Sequence, residues 1–310
     1  MAEFTIHTLG CGSAKPTPRH QTSCAVVDFR NNLFMVDCGE GAQQAFMRQH
    51  LKFNRLGNIF LTHLHGDHVF GLPGLIGTLA LHFAGGSLTI HTFEEGERIL
   101  SDIFNYFNRG LPFDVNFNIL DPCKEEIAFE NKSLLVRTIP LKHRVPCVGY
   151  VFQEKPRLRT LRREMCDFHG VPIALFNNIK AGDDFIKPDG ILVPNSELTL
   201  DPPTPLSYAH IGDTAVLNKI APKIGPVTLL YHETTYLKEN LKEAEARGHS
   251  TARQAAEIAL AAGAGHLLTG HYSARYDDDS LFLHEASAIF PQTILNNEGL
   301  RIDLTKLRHP

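Results

Sequence analysis

The chain has 310 residues, of which 43% are hydrophobic and 21% charged, and its formal net charge is −4. This composition is typical of a soluble globular protein and excludes a basic surface over the whole chain of the kind that binds nucleic acid. No stretch approaches the roughly 18 apolar residues that a membrane-spanning helix needs, and the first residues do not resemble a signal peptide. We therefore expect no membrane segment and a cytoplasmic location.

Cysteine and histidine usage narrows the possible cofactors. The six cysteines include no Cys-x-x-Cys pair, which argues against a disulfide scaffold or a thiolate zinc site and suits a reducing compartment. Histidine is the compositional outlier, with 17 residues. The interpretation therefore depends on where the histidines cluster.

Predicted strands and helices are mixed throughout the chain, which indicates an α/β fold. In chain order they are strands at 4–10, 24–30 and 32–39, a helix within 39–51, a strand at 58–63, a helix at roughly 68–83, a strand at 87–93, a helix at 94–108, strands at 133–141, 148–154, 205–214 and 226–236, a helix at 251–264 and a strand that begins at 266 and runs into a loop by 276. Several of these strands end in polar clusters. Active sites of α/β folds lie at such strand ends, because the loops converge there on a rigid support.

The densest polar cluster is the sequence THLHGDHVFGL at 62–72. It places His63, His65, Asp67 and His68 at the end of a buried strand, although such side chains are costly to bury together. Imidazole nitrogen and carboxylate oxygen are zinc ligands, and a His-x-His pair can supply two of them to one ion. Asp67 and His68 could serve a second ion, so the sequence predicts a metal site here.

Further candidate ligands lie at other strand ends. They are His143 in PLKHRVP, Asp213 in IGDT and His271 in LTGHYS. Each alone is more simply interpreted as a surface or core residue, and only the cluster at 62–72 gives them weight. A structural zinc site is closed and commonly built from cysteines, so His and Asp ligands favour an open, catalytic site.

The motifs together resemble a known family. The pattern HxHxDH after a short strand is the signature of the metallo-β-lactamase superfamily. Within it, the chain is similar to ribonuclease Z over nearly its whole length, in LGCGSA (9–14), DCGEGAQQ (37–44), LKHRVPCVGYVFQEKPR (141–157), IGDT (211–214), HETTY (232–236), GHSTARQAAEIA (248–259) and GHYSARY (270–276). The HETTY and GHST pair carries most of the specificity for ribonuclease Z.

The resemblance implies a fold and a ligand set. The fold would be a single domain over 1–310, a four-layer αββα sandwich with an inserted flexible arm at 155–200. One zinc ion would take His63, His65 and His143, and a second would take Asp67, His68 and His271. Asp213 would bridge the two ions, and manganese could replace zinc.

It also implies an activity. Ribonuclease Z is an endoribonuclease that removes the 3′ trailer of precursor tRNA after the discriminator base and leaves a 3′-hydroxyl. Asp67 would orient or deprotonate the nucleophile, and His249 would protonate the leaving 3′ oxygen. Glu233 would hold the imidazole of His249 and raise its pKa. The alternative interpretation of Glu233 and His249 is a pair at a helix start, where Ser250 or Thr251 could form the cap.

The candidate RNA-binding residues lie mostly in the arm. Its first nine residues, KPRLRTLRR, carry five basic side chains, Lys155, Arg157, Arg159, Arg162 and Arg163. A local basic segment can bind phosphates despite a negative total charge, and in the family such an arm clamps the tRNA elbow. Arg19, Ser273 and Arg275 are further candidates near the site. The family works as a homodimer, which the resemblance implies for this chain.

Two stretches depart from the family pattern. In the arm, Ile173, Ala174 and Asn177 occupy positions where glycine and proline are common. Near the start, the family motif PxKxRN is altered, because KPTPRHQTS (15–23) keeps Arg19 but has no lysine at the matching place and has His20 where asparagine is usual. These changes bear on the range of tRNA substrates and on how the 3′ end is read.

Two other functions remain open at the level of sequence. A phosphodiesterase or arylsulfatase acting on a small ester would use the same metal ligands, but it would need no distant basic arm. A non-enzymatic RNA-binding module with a vestigial metal site would not need all seven ligand candidates.

Overall fold

The computed structural model describes residues 4–82, 85–217 and 219–308. These residues form two compact units. The smaller unit comprises residues 131–135 and 153–205, and the larger one comprises the rest.

The strands and helices have the following bounds. The strands are β1 Phe4–Gly10, β2 Cys24–Phe29, β3 Asn32–Val36, β4 Leu56–Phe60, β5 Ser87–Thr92, β6 Asp114–Ile119, β7 Ile127–Glu130, β8 Leu134–Pro140, β9 Val148–Glu154, β10 Thr160–Leu161, β11 Phe185–Ile186, β12 Leu192–Val193, β13 Thr199–Leu200, β14 Ser207–Ile211, β15 Leu229–His232, β16 His266–Leu268, β17 Thr293–Ile294 and β18 Arg301–Asp303. The α-helices are α1 Ala42–Arg48, α2 Gly66–Val69, α3 Leu72–His82, α4 Glu94–Phe107, α5 Arg163–His169, α6 Phe176–Ala181, α7 Asn195–Leu198, α8 Ala221–Ile224, α9 Leu241–Arg247, α10 Ala252–Ala262 and α11 Ser280–Ser287.

The first sheet of the larger unit has seven strands in the order β18-β1-β2-β3-β4-β5-β6. Its first half is antiparallel, and the pairs β3/β4, β4/β5 and β5/β6 are parallel. Parallel neighbours need a crossover, which α1, α3 and α4 provide. The carboxyl ends of β3 and β4 therefore lie side by side at one edge, followed by Asp37 and by the loop that carries His63.

The second sheet has the order β17-β16-β15-β14-β9-β8-β7. The pairs β14/β15, β15/β16 and β16/β17 are parallel, with helices in the connections. The carboxyl ends of β14, β15 and β16 lead into the loops that carry Asp213, Glu233 and His271. Each sheet therefore delivers its polar side chains from the ends of parallel strands.

Two helical layers cover the two sheets. Strand alternation sends Leu33 and Met35 outward against α1, α3 and α4, whereas Phe34 points to the other sheet. Between the sheets, the rings of Phe34 and Phe60 pack against that of Phe152 at centroid distances of 6.3 and 5.4 Å. On the far side, α8, α10 and α11 pack on the second sheet through small residues and Phe282. This confirms the predicted αββα sandwich.

The smaller unit contains the residues of the predicted arm. It has two two-stranded ribbons, β10–β13 and β11–β12, and the helices α5, α6 and α7. Its core is small and apolar and consists of Cys166, Val171, Ile179, Phe185, Val193 and Leu198. The sequence shows weak periodicity here because each element is short. The flexibility and the RNA-clamping role of the arm stay predictions.

Most predicted elements are confirmed, with two kinds of difference. The helix predicted over 68–83 is two helices, α2 and α3, because the chain turns at Phe70 and Gly71. A Cβ on Gly71 would lie 2.2 Å from the carbonyl oxygen of Gly39, so only glycine fits this approach. The predicted end of that helix at residue 83 lies outside the described residues. The structure also contains β6, β7, α11, β17 and β18, which the sequence pattern did not indicate. Within the described ranges, no helix is both long and apolar enough to cross a membrane.

Candidate metal centre

One group of predicted ligands meets at the end of β4. Nε2 of His63 lies 3.0 Å from Nδ1 of His65, which in turn lies 3.2 Å from Nε2 of His143. Oδ2 of Asp213 lies 3.6 Å from His63 and 3.8 Å from His143. Four ligand atoms from three separate loops thus surround one point, as the sequence interpretation of this ligand set requires.

The second group adjoins the first through the same aspartate. Oδ1 of Asp213 lies 3.2 Å from Nε2 of His271 and 3.5 Å from Nε2 of His68. Oδ2 of Asp67 lies 3.5 Å from His271 and 3.7 Å from His68. Asp213 therefore presents one oxygen to each group, which is the arrangement of a bridging carboxylate.

Buried polar atoms without hydrogen-bond partners give an independent indication that these residues bind divalent cations. Nε2 of His68, Nε2 of His271 and Oδ1 of Asp213 are buried, and none of them has a hydrogen-bond partner in the described part of the chain. Buried polar atoms are normally paired, and three unpaired ones aimed at a common point indicate an ion that completes their coordination. The surrounding imidazoles, led by His271, also hold the pKa of Asp213 well below its usual range although burial alone would raise it. The cluster is therefore a divalent-metal site.

Groups outside the cluster fix the ligand rings. Nδ1 of His68 donates to the Asp37 carboxylate over 2.7 Å, and Nδ1 of His143 donates to the carbonyl of Gly248 over 2.8 Å. Nδ1 of His271 donates to the hydroxyl of Thr235 over 2.8 Å. Each bond leaves Nε2 of that ring aimed at the cluster, and such outer partners set both ring orientation and ligand basicity.

Backbone strain accompanies two of these residues. Asp37 and His271 have φ angles of 57° and 62°, in the left-handed region that non-glycine residues rarely adopt. Asp37 directly follows β3, His271 lies three residues after the end of β16, and both are almost fully buried. The packed sheets thus hold two side chains of the site in conformations that cost of order 1 kcal/mol or more each.

Next to the metal ligands lies the predicted pair of Glu233 and His249. Oε1 of Glu233 is 3.0 Å from Nδ1 of His249 and also accepts from the backbone N–H of Ser250 at 2.9 Å. Oε2 accepts from the backbone and hydroxyl of Thr235 at 2.9 and 2.6 Å. Burial disfavours a charged imidazole, but the carboxylates of Glu233 and Asp213 outweigh it and raise the pKa of His249 to about 9.

Helix capping does not account for this pair. Thr251 caps α10, since its side chain accepts from the N–H of Gln254 and the Gln254 side chain returns the bond. His249 stands before this capping box, and Glu233 comes from the end of a different strand. Capping of α10 therefore involves neither Glu233 nor His249, and His249 instead lines the cleft beside the candidate metal ligands.

That cleft has a volume of about 470 Å³ and opens over the metal ligands. It is lined by Ser13, Ala14, Lys15, Pro16, Thr22, Glu40, His65, Gly66, Asp67, Phe70, Arg144, Asp213, Thr235, Tyr236, Arg247, His249, His271 and Ser273. Ala14 donates its backbone N–H to Oδ2 of Asp67 over 2.7 Å, so the loop after β1 is tied to the cluster. The cleft is wide enough for a phosphodiester and carries basic side chains on its rim.

Comparison with known proteins decides the family. Ribonuclease Z of Parabacteroides distasonis is 48% identical over 304 residues, which cover 98% of this chain and all of that relative. This chain belongs to the ribonuclease Z family.

Solved structures share the fold of this chain. The crystal structure of human tRNase Z, short form, matches 97% of this chain and 99% of its own with a TM-score of 0.70 at 22% identity. A metallo-β-lactamase fold protein from Bacillus subtilis, YhfI, matches 96% of this chain and 98% of its own with a TM-score of 0.68 at 15% identity. These likenesses confirm the predicted fold. A family model described as Anti-Pycsar protein Apyc1 matches residues 4–94.

The loop that departs from the ribonuclease Z pattern is tightly held. The guanidinium of Arg19 donates to the carbonyls of Tyr276 and Asp277 and pairs with Asp279. The imidazole of His20 lies between Asp279, at 2.7 Å, and Glu298, at 2.9 Å. The carboxylate of Glu298 raises the pKa of His20, although burial opposes it. Arg19 thus has backbone and carboxylate partners here, and its predicted RNA contact stays a prediction.

The other predicted RNA-binding residues have different surroundings. Ser273 lines the cleft, and Arg275 pairs with Glu243 at 3.1 Å beside the ring of Tyr236. In the smaller unit, Arg157, Arg159 and Arg163 pair with Glu154, Asp201 and Asp167 of the same unit. That unit carries eight basic and eight acidic residues. The side chain of Arg162 is exposed and has no ion-pair partner among the described residues, whereas Lys155 is half-buried.

Two supporting residues were not identified from the sequence. Asp37 lies in a motif that resembles ribonuclease Z, but nothing in its spacing shows that it reaches His68. Thr235, which connects Glu233 to His271, lies in HETTY among other polar residues. The signal available for both is their position within three residues of the end of a buried strand, where α/β sites concentrate.

Proposed function

We propose that this chain is a metal-dependent endoribonuclease that removes the 3′ trailer of precursor tRNA. It would cut after the discriminator base, leaving a 3′-hydroxyl on the tRNA and a 5′-phosphate on the trailer. The observation that carries the proposal is the contact between Glu233 and His249 at the wall of the metal cleft. A proton donor beside a metal cluster suits an ester whose leaving alcohol is a poor one, such as a ribose 3′ oxygen.

We further propose that the two ligand groups hold two zinc ions per subunit, with manganese as a possible substitute. Zinc ions bound there would polarise the scissile phosphate and make water nucleophilic at neutral pH. The two groups contain five histidines and two aspartates. This ligand set suits zinc, although manganese and iron accept the same ligands.

The residues of the chain would divide the remaining work. Asp67, held by the N–H of Ala14, would orient the attacking water or accept its proton. Glu233 and Asp213 favour the protonated form of His249 although burial opposes it, and its other ring nitrogen, Nε2, would deliver a proton to the departing 3′ oxygen. Glu233 would keep the imidazole of His249 in place and compensate its charge.

The cellular context is proposed from the family resemblance. The protein would work in the cytoplasm as a homodimer, and the basic arm at 155–200 would clamp the tRNA of the neighbouring subunit's site. Light scattering of the metal-loaded protein measures the mass directly. A mass of about twice 34.5 kDa is expected.

The activity is tested with a 3′-extended precursor tRNA and with bis(p-nitrophenyl) phosphate, a small chromogenic diester. Zinc-loaded protein should cut the RNA once, next to the discriminator base, and chelation should abolish the cut. Metal analysis of the purified protein should give two ions per chain. Hydrolysis of the small diester with the tRNA left whole would replace the proposal with that of a small-ester phosphodiesterase.

A further inference from the structure

Three basic side chains on the rim of the metal cleft lack carboxylate partners. They are Lys15 on the loop after β1, Arg144 directly after the ligand His143, and Arg247 at the end of α9. Among the described residues, no carboxylate lies within ion-pair distance of any of them, whereas other arginines of the larger unit, such as Arg55 and Arg275, are paired. Unpaired cations around a metal centre are suited to anions of a substrate.

The two arginines share a wall with the proposed proton donor. His143 donates to the carbonyl of Gly248, so the segment after His143 lies against the segment that contains Arg247 and His249. The rings of His143 and His249 are 5.1 Å apart, and the charge of Arg144 acts on His249. Lys15 instead adjoins Ala14, which is bonded to Asp67 on the nucleophile side. Arg144 and Arg247 are therefore associated with the segment of His249, whereas Lys15 is associated with the segment bonded to Asp67.

A second cavity continues the arginine wall away from the metal cluster. It has a volume of about 390 Å³ and shares Arg144 with the main cleft. Lys142, which also lacks a carboxylate partner among the described residues, lines it together with Gly248 and Gln254. Glu245 also lines this cavity, so a chain of phosphates could follow it only along Arg144 and Lys142.

We propose that Arg144 and Arg247 bind the last internucleotide phosphate of the strand that keeps its 3′-hydroxyl. This inference rests on the proposed function, because it takes the leaving 3′ oxygen to lie beside His249. In-line displacement places the nucleophile opposite that oxygen, so the retained nucleoside extends along the His249 wall. Its own 5′ phosphate then meets the two guanidinium groups, whose planar donors suit phosphate oxygens.

The subsite would distinguish a polynucleotide from a small diester. A diester with one phosphate can react at the metal centre, but it has no second phosphate for Arg144 and Arg247 to bind. We therefore expect R144A/R247A to lower kcat/KM for precursor tRNA by about tenfold to a hundredfold, mainly through KM. Hydrolysis of bis(p-nitrophenyl) phosphate should fall far less than cleavage of precursor tRNA, and the zinc content of the variant should equal that of wild type, which shows that it folds and holds its metal.

The position of the phosphate is tested by removing its charge. Two precursor RNAs carry one methylphosphonate each, either at the last internucleotide linkage of the retained strand or at the first linkage of the trailer. Zinc-loaded wild type should lose activity on the first RNA, and R144A/R247A should lose almost nothing further on it. The trailer-side substitution should affect both proteins equally. R98A, which alters an exposed arginine of α4, is the matched control and should behave as wild type.

Salt dependence gives a second measurement. Each phosphate contact that is lost should make the slope of log affinity against log salt shallower by about 0.7. R144K/R247K should recover part of the affinity and the slope, because it restores the charge without the planar donors.

The outcomes separate the two proposals. If wild type cuts the unmodified RNA but the methylphosphonate penalty at the retained linkage persists in full in R144A/R247A, the subsite is wrong and the proposed function stands. A variant that loses diester and RNA activity equally also overturns the subsite, since the arginines would then support the metal centre itself. If wild type does not cut precursor tRNA, both proposals fail.

Discussion

Nδ1 of His68, a candidate metal ligand, donates to the carboxylate of Asp37 over 2.7 Å, and both side chains are almost fully buried. Asp37 comes from the end of β3 and His68 from the loop after the adjacent parallel strand, β4. The same carboxylate accepts from the backbone and hydroxyl of Thr62. One residue thus orders both the ring of His68 and the start of the ligand loop.

We expect D37N to weaken metal binding by about tenfold to a hundredfold while the chain still folds. The substitution keeps the volume of the side chain but removes the charge that compensates His68. Competition with a chelator of known zinc affinity measures the change. D102N, which alters an exposed acid on α4, is the control. An unchanged zinc affinity in D37N would show that Asp37 does not support metal binding.

We expect H249A to separate the two substrates of the proposed activity. Cleavage of precursor tRNA should fall by about 10²- to 10⁴-fold, because the ribose 3′ oxygen needs a proton on departure. Hydrolysis of bis(p-nitrophenyl) phosphate should fall far less, since p-nitrophenolate leaves without one. E233Q should show the same preference with a smaller loss, as expected for a residue that positions His249. An equal loss on both substrates would assign the pair a structural role.

Within the smaller unit, we expect the exposed Arg162 to matter more for RNA than its neighbour Arg163. Arg163 is already paired with Asp167 at 3.0 Å, so it would have to exchange one partner for another. R162A should raise the KM for precursor tRNA severalfold, and R163A should change it less. Both should leave hydrolysis of the small diester unchanged. If R162A leaves the KM for precursor tRNA unchanged, the RNA-binding role of this stretch of the arm is in doubt.

The imidazole of His20 should make stability depend on pH. The pKa of His20 is raised above its ordinary 6.5, so its contribution is fully present below pH 6.5 and is lost as pH rises through the folded-state value. The pKa of Glu298 is lowered below its ordinary 4.5, because His20 outweighs the effect of burial, so its contribution is lost as pH falls below 4.5. Between about pH 4.5 and 6.5 both contributions are present.

Thermal denaturation of the metal-free protein measures this effect. The midpoint of wild type should exceed that of H20N most at pH 5.5, and the difference should shrink at pH 8.5. H284N alters an exposed histidine of α11 and is the control. A difference that grows with pH would contradict the arrangement of His20 between Glu298 and Asp279.

Local motifs allowed much of the fold and the site to be predicted. HLHGDH shows its candidate ligands because four of them share one segment, and Asp213 and His271 follow β14 and β16, which belong to the parallel part of the second sheet. The support from Asp37 and Thr235 could not be predicted, because it depends on which strands become neighbours. The break at Gly71 was missed since it arises from a contact with Gly39. The elements of the smaller unit are too short to produce a periodic signal.

The metal centre combines residues from both ends of the chain. His63, His65, Asp67 and His68 are made early in synthesis, but His271 comes near the end, and the loop after β1 is bonded to the backbone of Tyr272. A nascent chain that stops before residue 271 carries only part of the ligand set. The complete candidate ligand set therefore exists only after β16 of the second sheet has been synthesised, so the geometry of the site depends on the completed fold.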